Sequence, residues 1–214
     1  MRVVLPISGR RRFLQRSAAL GAALTVSLPV AAAQIGAMSG EVYVNGMRAG
    51  RTTVIRPGDK IETGAGSSVA FVLGQDAFLL RQLTSMMMET TGDSIVITGL
   101  RLVSGALVAV FGGGMKSIRT SMAVAGIRGT GIYVETRLEL TYFCTCYGEV
   151  DLVSAADNSA KNVKARNHAS HYVYAKAARG ASIGEAPMIN HTNAELAMLE
   201  RLAGRKPRLP ESKR

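Results

Sequence analysis

Five side chains in the second half of the chain carry soft-ligand chemistry: Cys144, Cys146, His168, His171 and His191. They are both cysteines and all three histidines of the 214 residues. Thiolate sulfur and neutral imidazole nitrogen are the donors that hold zinc and copper, and a sulfur pair is the softer choice that favours copper(I). Thr141–Tyr147 reads as a strand, so Cys144 and Cys146, two apart, share one face. Their Cα atoms then stand about 6.5–7 Å apart, at the long limit for a disulfide, so a bond between them would be strained and easily reduced. His168 and His171 fall on opposite faces of a strand and converge only on a turn or helix. A C-x-C without a second spaced pair does not select between zinc, copper, haem and no metal, so no cofactor is favoured. The five residues are a metal or redox candidate, set against a redox-variable thiol pair beside three unrelated polar histidines.

Other chemical patterns dissolve on inspection. Gly112–Ser117 lacks the glycine before its lysine and the strand–loop–helix context of a phosphate loop. Gly126–Gly131 lies between strands and opens no helix, so a dinucleotide reading fails. Asn190-His191-Thr192 matches a glycosylation sequon by accident. In a strand, Met87 faces away from Met86 and Met88, which makes core packing a better reading than a thioether copper site. No catalytic triad or carboxylate pair follows from spacing, and no enzymatic activity is expected.

The elements that position these residues are short β-prone runs. From Ser39 to Tyr174 they recur between turn residues, without the 3.6-residue period of helices. Glu41–Asn45 runs into an Asn-Gly turn, and Lys60–Thr63 lies between Pro57-Gly58-Asp59 and Gly64-Ala65-Gly66. Val69–Leu73, Ala77–Leu80, Met86–Thr90, Ser94–Thr98, Leu100–Val103, Ala106–Phe111, Ile118–Thr120, Ile132–Glu135, Glu139–Tyr147 and Glu149–Val153 continue the series. Such spacing fits a sandwich, a barrel or a solenoid. Thr192-Asn193-Ala194-Glu195 is a capping box, with Leu196, Leu199, Leu202 and Ala203 on one face behind it and Gly204 placed to stop the helix.

The net charge of +11 is concentrated at the two ends. Residues 1–33 hold five arginines and no acid, and residues 201–214 hold six basic groups and Glu211, so the body between carries only +1. A neutral body excludes the phosphate-neutralising surface that a basic nucleic-acid binder needs. The N-terminal part resembles an export signal of the twin-arginine type: Arg10 and Arg11 as the pair, Phe13 and Leu14 as the apolar positions, then a weakly apolar stretch and an A-x-A site between Ala33 and Gln34. The apolar run is shorter than the about 20 residues of a spanning helix. The expected location is the periplasm, with membrane contact only through the signal before cleavage.

Several blocks together resemble the FecR domain, the extracytoplasmic domain of iron-dicitrate-type sensors and regulators. They are Gly40-Glu41-Val42, Pro57–Gly64 with Gly58, Asp59 and Thr63, Ser67–Phe71, Leu102–Leu107, and Ile127–Val134 with Arg128, Gly129 and Thr130. The resemblance implies an all-β, solenoid-like or sandwich fold of short strands with a sensing or scaffolding role, binding a periplasmic protein or a small ligand. By their chemistry, Gly58-Asp59 suits a tight turn, Gly129 and Gly131 suit strand bends, and Arg128 suits a buried or edge ion pair. Members that control sigma factors carry a cytoplasmic segment and a membrane helix ahead of this domain. Nine residues precede the arginine pair here, so direct control of a sigma factor is not expected. The expected division is a signal peptide at 1–33, a FecR-like β-domain at 34–153, a C-terminal extension at 154–204 with one amphipathic helix at 193–203, and a disordered basic tail at 205–214.

Replacing both Arg10 and Arg11 by lysine keeps the charge and removes the paired guanidinium groups. The expected outcome is precursor retained in the cytoplasm, read by fractionation. Normal periplasmic amounts of the double-lysine variant would contradict the twin-arginine reading.

Overall fold

The computed structural model describes residues 32–92, 96–178 and 181–211. The export motif Arg10, Arg11, Phe13 and Leu14 lies outside the described residues. Among the described residues, fifteen strands precede one helix. They are β1 Ala33–Ser39, β2 Val42–Val44, β3 Met47–Arg48, β4 Val54–Ile55, β5 Lys60–Thr63, β6 Ser68–Leu73, β7 Asp76–Leu80 and β8 Ser85–Thr90. The series continues with β9 Ile97–Val110, β10 Met115–Arg119, β11 Ala123–Thr136, β12 Leu140–Ser154, β13 Ala160–Ala165, β14 Ala169–Ala178 and β15 Ala181–Ala186, followed by α1 Asn193–Leu202. The all-β class with one C-terminal helix is as the sequence indicates. No helix among the described residues is long and apolar enough to cross a membrane.

Three long strands, β9, β11 and β12, each serve two neighbourhoods. The first half of β9 pairs with β8 and, in parallel, with β10, while its second half pairs with β7 and β11. Likewise β12 pairs with β14 through Leu140–Thr145 and with β13 through Gly148–Val153. The change of partner falls where the backbone bends. Gly105 in β9 has φ +82 and Gly148 in β12 has φ +94, a region that side-chain-bearing residues avoid. A Cβ at Gly148 would collide with Thr130, and one at Gly105 with Thr84. In β11 the register shifts between Arg128 and Gly131, with Gly129 at φ +56. Strands that switch neighbours at bends fold the continuous sheet into two layers, the corner device of sandwiches.

The two layers enclose one core. Phe71, Phe78, Leu107, Ile132, Val134 and Phe143 from one layer meet Ile61, Met86, Met88, Leu100, Leu102, Ile127 and Leu152 from the other. Phe78 packs on Phe71 and Phe111 with ring centroids 5.0 and 5.9 Å away. Met86 and Met88 are buried and Met87 is 40% exposed, so the methionines are packing groups. Ala77, Val108, Val110, Tyr133, Tyr142, Cys144 and Cys146 alternate with the inward residues of the first layer and therefore face outward. Their face is also buried, because Ile189, Leu196, Leu199 and Leu209 cover it.

The resemblance blocks occupy turns and bends. Gly58 has φ +91, and Asp59 accepts the Arg56 amide at 2.7 Å and Asn45 Nδ2 at 2.8 Å. Buried Thr63 accepts the Thr84 amide at 3.0 Å, and Thr130 is fully buried in β11. Arg128 is exposed and reaches Met115 Sδ at 3.4 Å, with no carboxylate partner among the described residues. The ion pair expected there is not formed: the acid opposite Arg128 on β12 is Glu149, whose carboxylate is taken by Lys164 at 3.3 Å and Asn162 at 2.9 Å.

Two parts of the chain differ from their expected form. Residues 160–186 build β13, β14 and β15 of the same sheet, continuing it beyond residue 153. Residues 205–211, expected as disordered tail, lie on the body: Leu209 is 7% exposed, and Arg205 bonds Glu200 and the Gln75 carbonyl. The capping box is formed, with Thr192 Oγ1 accepting the Glu195 amide at 3.3 Å and Glu195 accepting the Thr192 amide at 2.9 Å.

Phe78→Ala opens the interlayer core and is expected to cost about 3–5 kcal/mol, against about 1 kcal/mol for loss of the cap in Thr192→Ala. Urea denaturation followed by circular dichroism checks the ratio. Equal costs would contradict this placement of the core.

Candidate metal centre

Four of the five soft ligands converge. Cys144 and Cys146 sit on the outward face of β12, fully buried beneath the C-terminal segment. His168 follows β13 in a left-handed turn, φ +48, and its amide donates to the Cys146 carbonyl at 2.9 Å. This bond fixes the imidazole beside the cysteines. His191 lies one residue before the helix cap, on a segment tacked to the sheet by Tyr142, whose hydroxyl accepts the Ile189 amide at 3.1 Å. Its ring stacks on Tyr133 at 4.7 Å and 14°.

The donor atoms form a compact cluster, all within 4.8 Å of one another. Sγ of Cys144 is 3.8 Å from Sγ of Cys146 and 3.5 Å from His168 Nδ1. His191 Nε2 is 3.4 Å from Cys146 Sγ and 3.1 Å from His168 Nδ1. With Zn–S about 2.3 Å and Zn–N about 2.05 Å, a tetrahedron has edges of about 3.8 Å between sulfurs, about 3.6 Å from sulfur to nitrogen and about 3.3 Å between nitrogens. The four edges given follow this set, and the remaining two stay within 4.8 Å. Both cysteines are free, their sulfurs far beyond the about 2.05 Å of a disulfide. A linear copper(I) bis-thiolate would hold its sulfurs on opposite sides of the ion, and a haem needs far more space than a cluster this tight allows.

Neighbours outside the cluster fix both histidine tautomers. His191 Nδ1 lies 2.7 Å from the Ile189 carbonyl, which only accepts, so that nitrogen carries the proton. Asn193 donates through Nδ2 to the Pro210 carbonyl at 2.8 Å, which orients its Oδ1 to accept from His168 Nε2 at 2.7 Å. The inward nitrogens of both rings are therefore bare lone pairs facing each other. Outer hydrogen bonds of this kind orient metal-binding histidines.

The electrostatics agree. The hydrogen bond from Cys146 holds the Cys144 thiol well below its ordinary value, assisted by His168 and His191, while burial pushes Cys146 up. Burial opposes charge on His168, yet its bonds to Cys144 and Asn193 raise it. No charged side chain bonds to any of the four ligands among the described residues. A divalent ion with two thiolates and two neutral imidazoles sums to zero, the arrangement that burial tolerates best.

His171 stands apart. It pairs with Phe143, whose side chain points inward, so strand alternation turns it away from the cysteines. It is 5% exposed and lines a groove with Lys161, Glu185 and His168; burial, with Lys161, lowers its pKa. Tyr133, Tyr142 and Asn193 are positioning residues that the sequence reading passed over. Asn193 had a signal, its place beside the capping box, whereas the tyrosines had none.

No family model matches the chain, and no curated protein matches its sequence. Among solved structures, two crystal structures of a candidate anti-sigma factor from Parabacteroides distasonis are similar to it. Each is 16% identical with a TM-score of 0.49; one match covers 67% of this chain and 73% of that one, the other 68% and 74%.

Proposed function

We propose that the chain is an exported metal-binding β-module that holds one zinc ion through Cys144, Cys146, His168 and His191 and serves as a sensor or scaffold in the periplasm. The observation that carries this reading is the set of four donor edges of tetrahedral length within one compact cluster, together with two histidines whose inward nitrogens are already bare. Four protein ligands close the coordination sphere, leaving no position for a reacting molecule, which supports a non-catalytic role. Zinc would supply cross-linking of β12, the turn before β14 and the segment before α1. The twin-arginine-like signal supports export after folding, which lets the ion be loaded in the cytoplasm. A groove of about 550 Å³ beside the centre, walled by Tyr133, Arg81, Glu135 and Asn190, is a place for a small ligand of the module.

Elemental analysis of protein purified after natural export is expected to give one zinc per chain, lost in Cys144→Ser and retained in His171→Ala. Stoichiometric copper in place of zinc would overturn the choice of ion, and a metal-free protein would overturn the proposal.

Zinc must displace the thiol protons, whether these rest on sulfur or have moved to His168. Titration of the reduced, metal-free chain with zinc in weak buffer is expected to release about two protons per ion bound. The affinity therefore rises with pH. Binding without proton release would contradict ligation by the thiolates.

A further inference from the structure

We infer that the metal ion controls the opening of a C-terminal strap, residues 187–211, that covers the outward apolar face of the sheet. The inference rests on zinc binding as proposed above and concerns the regulation exerted by that site. Three ligands belong to the sheet and its turn, Cys144, Cys146 and His168, and one, His191, belongs to the strap. The strap cannot lift without withdrawing His191 and, through Asn193, the partner of His168. Its opening therefore takes the site apart, whereas the interlayer core lies on the other side of β12 and is untouched.

The strap's remaining fastenings are imperfect. Leu196, Leu199 and Leu209 are buried against Ala77, Val108, Val110 and Tyr147. In the same interface Glu200 is fully buried as an acid, held by Tyr147 Oη and Arg205. A buried ion pair is a weak fastening compared with apolar packing, because desolvation offsets its attraction. Two of the arginines that tie strap and body, Arg81 to the Asn190 carbonyl and Glu195 and Arg205 to the Gln75 carbonyl, leave a buried nitrogen, Nε and Nη2 respectively, without a hydrogen-bond partner. Each such nitrogen costs stability. The closed state is thus poised, and a ligand that binds only the closed form shifts it by mass action. Opening uncovers Val108, Val110, Tyr133 and Tyr147 as a continuous apolar face, so metal occupancy sets how often that face is available.

Hydrogen exchange on the full, reduced chain tests this, with zinc itself as the probe and calorimetry run in parallel to establish binding. In the zinc-free chain the amides of α1 are expected to exchange faster than those of β6 and β8, and free zinc at about 100 times its dissociation constant is expected to slow α1 exchange by up to about 100-fold. In His191→Ala, zinc held by the remaining three ligands is expected to give α1 no protection. Calorimetric binding with unchanged α1 exchange would overturn the inference and leave the zinc site standing, as would α1 amides that exchange no faster than those of β6 and β8 in the zinc-free chain, or α1 protection that persists in His191→Ala. Absence of calorimetric binding would overturn both.

Discussion

Alternation of side chains along a single strand governs the rest of this molecule. β12 points Phe143, Val150 and Leu152 into the space between the layers and Tyr142, Cys144 and Cys146 away from it. The outward set is largely apolar and would be unfavourable in water, so the chain returns over it after β15 and lays down Ile189, Leu196, Leu199 and Leu209. That return brings His191 to the cysteines. The fold requirement and the metal site are thus consequences of one period-two pattern, with the glycine bends deciding which half of β12 faces the strap.

What distinguishes the cluster from ordinary buried polar groups is its outer hydrogen bonding. A buried histidine serving only packing satisfies both ring nitrogens with fixed partners. Here the outward nitrogens have such partners, a carbonyl and an oriented amide oxygen, while the inward nitrogens have only each other and two thiols. Without a metal the thiol protons bridge sulfur to nitrogen at 3.4–3.5 Å; with one, a single divalent charge replaces two protons at no change in net charge. The second state is the better fit to a buried, uncharged surround.

Much of this was legible in the sequence, for identifiable reasons. The C-x-C pair declared its common face, because strand alternation is local, and the capping box at Thr192 declared the helix. The convergence of His168 and His191 was not legible. It depends on a left-handed turn at a non-glycine residue and on a segment returning from 45 positions away, a separation that leaves no local signal. For the same reason His171 looked equivalent to His168 until the register with Phe143 separated them. The long strands were read as pairs of short ones because Gly105 and Gly148 resemble turn glycines, whereas here they bend a strand without ending it. The tail after Gly204 reads as solvated by composition, yet the single buried side chain of Leu209 and the arginine contacts hold it down.

The central claim is that the four donors bind one ion in a tetrahedral N2S2 shell. Zinc-edge X-ray absorption on the exported protein measures that shell directly. The account predicts two sulfurs at about 2.3 Å and two nitrogens at about 2.0–2.1 Å, with imidazole scattering from both nitrogens. A shell of oxygens and nitrogens without sulfur would contradict it.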